Sequence, residues 1–323
     1  MRHSSKNLAW MIVFAAALAC DSEVFPPDDG AHRTVTPQSF DAKVVVFVID
    51  GPRYQDSFGD PSHAYIPGIW NQLRPLGTVC SNFQNLGWTN TVPGHSTMLS
   101  GVWQFLADDG TERVPNPTLF EYYRKAKGAP ATDALLVGGK PKLGACAYSL
   151  DPAYGAAYGA SADLDNPTDL DTYDALIGHL QTEHPHLVMA AFSYLDQMGH
   201  TGDWSRYTRQ LEVVDSLAVL TWNYLQSDPA YANQTYLFIT ADHGRHDDAH
   251  GGFQNHGDTC PGCQHVIFLA LGPNIRPDFE VTNLYTQRDI CTTVGALLGV
   301  ATPQSDGFPI NEIYTPIQTG ISD

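Results

Sequence analysis

Basic residues are scarce. Against 35 Asp and Glu the chain has 17 Lys and Arg, a formal net charge of −18 that argues against nucleic acid or an anionic membrane as a bulk partner. It does not forbid a phosphate ester in a metal-lined pocket, where ions set the local field. Cysteine is also sparse. Beyond Cys20 the count is an odd five, so at least one thiol stays unpaired even in an oxidising compartment. Cys260-Pro-Gly-Cys263 is expected to close a small loop disulfide. A structural zinc shared with His256 and His265 is the alternative, weakened because no second Cys pair follows at ribbon spacing. There is no internal repeat, and no bilayer-spanning apolar run follows the first 20 residues.

Those first residues read as a secretory signal. Arg2 and Lys6 precede an apolar stretch from Leu8 to Ala19 that is too short for an ordinary spanning helix. Ala17-Leu18-Ala19-Cys20 resembles a bacterial lipoprotein cleavage box, although Ala17 stands where Leu is usual. The expectation is export from a bacterial cell to the periplasm or cell surface, with lipidated Cys20 as a membrane tether. Residues 21–42, with Pro26-Pro27-Asp28-Asp29-Gly30, read as a flexible acidic linker, and 43–318 as the folded domain.

In that domain strand and helix signals alternate. Lys43–Asp50, Ala134–Val137, Leu187–Tyr194, Tyr236–Thr240 and Val266–Leu271 are strand-like. Helices are expected at Pro67–Arg74, from Thr91 to about Ser100, at Leu119–Lys127 behind a Thr118…Glu121 capping box, at Trp204–Leu225 and at Gln287–Leu298. Apolar residues at Leu211, Val214, Leu217, Leu220 and Tyr224 give the long helix its inward stripe. This pattern predicts an α/β fold: a doubly wound, mostly parallel sheet with helices on both faces. Ser149–Tyr173 is expected to form a small cap insertion.

Three apolar runs lead into aspartates: Val44 to Asp50, the run before Tyr194-Leu-Asp196-Gln-Met-Gly-His200, and Phe238 to Asp242-His243-Gly244. Continuous runs of this kind suit strands buried on both faces, whose carboxyl ends form the ligand crevice. Asp at a strand end is common as a turn or cap residue, and each one alone is more simply structural. Three together repel one another unless a cation sits among them, which points to a metal site. Thr91, just ahead of Pro93, offers a hydroxyl at a helix start where free backbone N–H groups hold anions. A threonine alkoxide needs a metal or base near neutral pH, and the plain alternative is that Thr91 is only an N-cap.

In order, Asp50, Thr91-x-Pro-x-His95, Asp196-x-x-x-His200 and Asp242-His243-Gly244 resemble the alkaline phosphatase superfamily over about residues 43–300, most nearly its nucleotide pyrophosphatase/phosphodiesterase branch. The resemblance implies two divalent metal ions, usually zinc, and a nucleophilic Thr91 that forms a covalent phosphothreonine and also binds metal. Asp196 and His200 would hold one ion, completed by a later histidine. His256 fits the order best among His246, His250, His256 and His265. Asp50, Asp242 and His243 would hold the other. Three aspartates and three neutral imidazoles against two divalent ions leave one positive charge to stabilise the alkoxide.

Gly94 departs from the branch, which usually has Asn there. Asn116 is a weak stand-in for a phosphate-contacting Asn, and Lys140 and Lys142 are further substrate-binding candidates resembling the Lys-x-Arg clamp of some monoesterases. The expected substrate is a small phosphorylated molecule. The alternatives are a sulfatase or phosphonate monoester hydrolase, and a catalytically silent metal-binding protein. Sulfatases need Cys or Ser with Arg where Thr91 and His95 stand, and cofactor-independent phosphoglycerate mutases are cytosolic, which the export signal opposes.

Overall fold

The computed structural model describes residues 41–316. The signal, Cys20, all of the linker but residues 41–42, and positions 317–318 lie outside them.

Among the described residues, ten strands and seven α-helices follow in chain order: β1 (Lys43–Ile49), β2 (Thr78–Cys80), β3 (Phe83–Gln84), α1 (Thr91–Ser100), α2 (Leu119–Lys127), β4 (Ala134–Gly138), β5 (Ser161–Asp163), α3 (Asp169–Thr182), β6 (Leu187–Phe192), α4 (Tyr194–His200), α5 (Trp204–Ser227), β7 (Thr235–Ala241), α6 (Pro261–Gln264), β8 (Phe268–Leu271), β9 (Phe279–Val281), β10 (Tyr285–Thr286) and α7 (Arg288–Leu298). Eight strands form one sheet in the order β5-β4-β6-β1-β7-β8-β2-β9, while β10 pairs with β3. From β5 to β7 every pairing is parallel, β8 runs antiparallel to both neighbours, and β2 and β9 are parallel. No described helix is long and apolar enough to cross a membrane.

Every residue of β1, β6 and β7 is buried, as strands covered on both faces must be. The central trio is β6-β1-β7, with Ile49 opposite both Phe192 and Ala241. That register brings Asp50 and Asp242, each one residue past its strand, to the same edge. The capping box forms at α2, where Glu121 N–H donates to Thr118 Oγ1 and Thr118 N–H to Glu121 Oε2.

Several expectations shift. The Leu187–Tyr194 run ends as a strand at Phe192, because Tyr194 N–H donates to Asp169 Oδ1 and opens α4. Asp196 therefore sits on a helix rather than a strand tip, and His200 one turn later shares its face. Pro67–Arg74 is helical as expected, but Ile69–Leu73 is wound as a π-helix and runs on into a 3-10 turn at Arg74–Leu76, with the Gly68 and Ile69 N–H groups donating to Asp215. On α5, Leu211, Val214 and Leu217 are buried as expected, Leu220 is exposed and Tyr224 half-buried, and Tyr207, Ala218 and Leu225 complete the inward stripe. Ser149–Tyr173 does not stand off as a cap. It supplies edge strand β5, paired on β4, and leads into α3.

Candidate active site

At the carboxyl edge of β6-β1-β7, Asp50, Asp242, His243 and His95 are fully buried, and Asp196 nearly so. Asp242 Oδ1 accepts from its neighbours' backbone, Gly51 N–H at 3.2 Å and His243 N–H at 2.9 Å. Gly51 has φ +65°, and a Cβ there would press on Arg245, His243 and Asp196, so the turn after β1 needs glycine. A Cβ on Gly94 would overlap the Asp242 carbonyl. Glycine at 94 thus lets α1 dock on the end of β7, and no side chain from that position faces substrate.

His243 tests whether a metal fits. Its Nδ1–H donates to the Gly244 carbonyl at 2.9 Å, so Nε2 carries the lone pair. That atom lies 3.4 Å from Asp50 Oδ1 and 3.5 Å from Asp242 Oδ2. Burial pushes the imidazole down to about 3, keeping it neutral. Asp50 Oδ1, Asp242 Oδ2 and His243 Nε2 are buried with no hydrogen-bond donor, and one ligand atom from each lies within 4.8 Å of the others. Three converging lone-pair atoms without a donor fit a divalent cation. Burial, then Asp242, raises the Asp50 carboxyl to about 7, the mark of a carboxylate pair short of positive charge.

A second donor set adjoins it. His200 Nε2 is 3.2 Å and His256 Nε2 3.4 Å from Asp196 Oδ1, and the two nitrogens are 3.2 Å apart. His256 Nδ1–H donates to the Thr89 carbonyl, which aims Nε2 inward. Among the four histidines considered, His256 is the one in contact with Asp196. His246 lies against Asp258, His250 against Asp247, and His265 donates to the Ser81 carbonyl.

Two side-chain cations share this site, and only one was among the candidates. Lys140 Nζ lies 2.7 Å from Asp196 Oδ2, 2.7 Å from Asp50 Oδ2 (off the angle of a hydrogen bond) and 3.1 Å from Thr91 Oγ1. Burial opposes its charge, but Asp50, Asp196 and Asp242 overcome that and hold it protonated. Arg245, fully buried, places Nη1 2.5 Å from Asp196 Oδ1 and donates Nε–H to the Phe253 carbonyl. Its sequence signal was slight: a basic residue directly after Asp242-His243-Gly244 in a chain with few of them. Burial alone would raise Asp196, yet His200, His256 and Lys140 bring its carboxyl well below the usual range.

Thr91 is buried at the first position of α1. The N-cap is Asn90, so the Thr91 hydroxyl is not the helix cap, and it accepts from Lys140. The first-turn N–H groups are less available than expected. Val92 N–H donates to Asp108 Oδ1 at 2.7 Å and Pro93 has none. Lys142 pairs with Asp108 at 2.7 Å, supporting that contact from outside the cluster. Asn116 is bound to Gln104 through both N–H and Nδ2, and none of its bonds reaches Thr91 or the aspartates. Of the three low-ranking candidates, Lys140 alone faces the site.

A mostly parallel sheet thus carries buried Asp and His donors at its carboxyl edge, an arrangement that suits a divalent metal. The Metalloenzyme superfamily model matches residues 154–301. A 2,3-bisphosphoglycerate-independent phosphoglycerate mutase of Legionella pneumophila (strain Lens) is 27% identical over 128 residues, 40% of this chain and 23% of the mutase. The chain thus matches under a quarter of that relative's length. Among solved structures, BT1596, a 2-O GAG sulfatase, aligns with TM-score 0.66 and 15% identity over 84% of this chain and 74% of the sulfatase. The phosphonate monoester hydrolase SpPMH of Silicibacter pomeroyi gives 0.61 and 13% over 86% and 78%. At these identities the structural likeness speaks for the fold. The chain is thus similar to the Metalloenzyme superfamily over residues 154–301, and it shares its fold with these sulfatase and phosphonate hydrolase structures. No single branch is singled out.

Proposed function

We infer that the chain is a metal-dependent phosphoric-ester hydrolase in which Thr91 is the nucleophile and becomes a phosphothreonine. The observation that carries this is Lys140: one buried ammonium touches the Thr91 hydroxyl and two of the three candidate metal-binding carboxylates. Asp50, Asp242 and His243 would hold one divalent ion, and Asp196, His200 and His256 a second, with zinc suited to this mixed N/O set. When bound, such ions supply Lewis-acid charge that lowers the pKa of a hydroxyl and neutralises ester oxygens.

The chain's own residues do the rest. Lys140, already charged, cannot serve as the base for Thr91. It stabilises the developing alkoxide and a non-bridging ester oxygen, in the manner of a preorganised cation. His95, donating Nδ1–H to the Thr91 carbonyl at 2.8 Å, fixes the first turn of α1. Thr91 gives up its proton to solvent, its Oγ forms a bond to phosphorus as the P–O bond to the alcohol breaks, and the departing oxygen takes a proton from solvent. Water later cleaves the phosphothreonine, returning phosphate and the free hydroxyl.

A substrate panel tests the reading: p-nitrophenyl phosphate, bis-p-nitrophenyl phosphate, a phosphonate monoester and p-nitrophenyl sulfate. Wild type should turn over a phosphoric ester and carry label on Thr91 when quenched during turnover with labelled substrate. Thr91→Ala should lose roughly 10³-fold or more in kcat with metal content and melting temperature held. Turnover of the sulfate alone would favour the sulfatase reading. Full activity in Thr91→Ala would end the covalent mechanism.

A further inference from the structure

Cys260 and Cys263 take no part in this chemistry. They are free thiols, and the expected disulfide is absent. Cys260 is the N-cap of α6, and the N–H groups of Cys263 and Gln264 both donate to its carbonyl, so the Cys-Pro-Gly-Cys turn is a compact knuckle. Cys263 is fully buried and Cys260 nearly so. The sequence pointed to His256 and His265 as possible co-ligands, but both are engaged elsewhere. His256 faces Asp196, and His265 stacks on Tyr54 at 3.5 Å.

The residues that close on the knuckle are His246 and Asp258. One ligand atom from each of His246, Asp258, Cys260 and Cys263 lies within 4.8 Å of all the others. A zinc tetrahedron with bonds of about 2.0–2.3 Å has edges of roughly 3.3–3.8 Å, so modest inward movement would complete one. Asp258 Oδ1 accepts Cys260 N–H at 2.9 Å, and its Oδ2 lies 3.1 Å from His246 Nε2. That nitrogen is buried and makes no hydrogen bond.

We propose that His246, Asp258, Cys260 and Cys263 form a structural zinc site, separate from the catalytic donors. Four protein ligands leave no open position, which is the mark of a structural rather than a catalytic ion. Zinc displaces the two thiol protons and takes both sulfurs as thiolates, with no redox step.

The site's place gives it a purpose. Gly244 N–H donates to the Cys263 carbonyl at 2.8 Å and His246 N–H to the Asn255 carbonyl at 2.9 Å. A side chain at Gly262 would run into the Arg245 carbonyl, so the knuckle lies flat on the segment that follows β7. An ion there ties the loop bearing His256 to the segment bearing Asp242 and His243. It sets the spacing of the candidate active site from outside. The neighbouring trio Asp247, His250 and Cys260 offers one donor fewer. Asp247 Oδ1 is already taken by the N–H groups of Ala249 and His250.

The test counts zinc per chain by elemental analysis on the full chain, purified without added oxidant and loaded with zinc alone. Cys260→Ser/Cys263→Ser should lose one zinc equivalent relative to wild type. His246→Ala should lose the same equivalent, and His250→Ala should keep it. Cobalt-substituted wild type should show a thiolate charge-transfer band in the near ultraviolet that the Cys variant lacks. To cover a Cys variant that fails to fold, wild type is also titrated with an organomercurial, which should release one zinc as two thiols react. Asp242→Ala should keep this ion whatever becomes of the catalytic set, so failure of the proposed reaction and failure of this site are told apart. Equal zinc in wild type and a folded Cys variant, no zinc released by the mercurial, or a Cys260–Cys263 disulfide in purified wild type would each overturn the assignment.

Discussion

Replacing Lys140 by Met keeps the apolar stem and removes the ammonium between Asp50, Asp196 and Thr91. Lys140 lies 2.7 Å from a carboxylate oxygen on each aspartate, with its side chain 13% exposed. Removing one partner of a buried ion pair costs about 3–5 kcal/mol, because the charge left behind has neither water nor a counterion. Asp50, already raised to about 7, can take up a proton, which keeps the loss within that range. For a domain of this size each kcal/mol moves the melting temperature by about 2–4 °C, so chelator-treated Lys140→Met should melt roughly 6–20 °C below chelator-treated wild type. Added zinc supplies replacement charge to the same carboxylates and should close much of that gap. Activity separates the two roles of Lys140. If it only balances charge, metal restores kcat along with melting temperature. If it also stabilises the Thr91 alkoxide, kcat in metal-saturated variant stays about 10²–10³-fold below wild type. The assay is differential scanning calorimetry of both forms with and without zinc, beside steady-state rates at saturating metal. Metal-saturated Lys140→Met within threefold of wild-type kcat would refute the catalytic role, and an unchanged melting temperature without metal would refute the ion-pair argument.

Gly94→Ala should lose about 1–3 kcal/mol and weaken metal retention, because its Cβ would overlap the backbone that sets Asp242; wild-type zinc content and melting temperature would contradict this. His186 offers a pH test away from the site. Its Nδ1 lies 2.6 Å from Asp133 Oδ1, which raises its pKa above the ordinary 6.5, while Asp133, despite burial, is lowered below 3.8, chiefly by His186. The raised histidine contributes stability that is full below 6.5 and lost as pH rises through its folded pKa. The lowered aspartate contributes stability present above 3.8 and lost as pH falls through its own. His186→Ala should therefore cost about 1 kcal/mol near pH 5.5 and much less near pH 9 by urea unfolding; equal losses at both would reject the pair.

The fold was legible because its signals are local and strong. Continuous Val/Ile/Phe runs mark strands buried on both faces, and Thr118 with Glu121 marks a helix start that needs no tertiary context. Leu187–Tyr194 misled because Tyr194 and Leu195 continue the apolar run, while the strand ends where Asp169, 25 residues earlier, takes the Tyr194 N–H. No pattern within the run can show that. Asp50, Asp242 and His243 were readable as a set because parallel register carries adjacent strand ends to one edge. Lys140 ranked low and Arg245 went unnoticed for one reason: a lone basic residue on a connection looks like surface, and only the fold shows that it points inward. Asn116 failed the opposite way, as a polar residue near the nucleophile helix whose bonds go to Gln104.

Those two cations alter the electrostatic argument that first suggested a metal. Three buried aspartates on their own require an external cation, and two divalent ions against them leave one positive charge. With Lys140 and Arg245 included, the aspartates face two permanent positive charges, and one net negative charge remains before any ion binds. The cluster can thus be folded ahead of its metal, and a single divalent ion already makes it positive. The two donor sets are unequal in this respect. Both Asp196 oxygens have cationic partners, Arg245 on Oδ1 and Lys140 on Oδ2. Asp50 Oδ1, Asp242 Oδ2 and His243 Nε2 are left without donors. The free energy a metal gains is largest where buried lone pairs have no other partner, and smallest where it must displace a guanidinium at 2.5 Å. On the proposed reading, the Asp50–Asp242–His243 set would therefore be the tighter site. An ion at Asp196, His200 and His256 would have to share the Asp196 carboxylate with the Arg245 guanidinium.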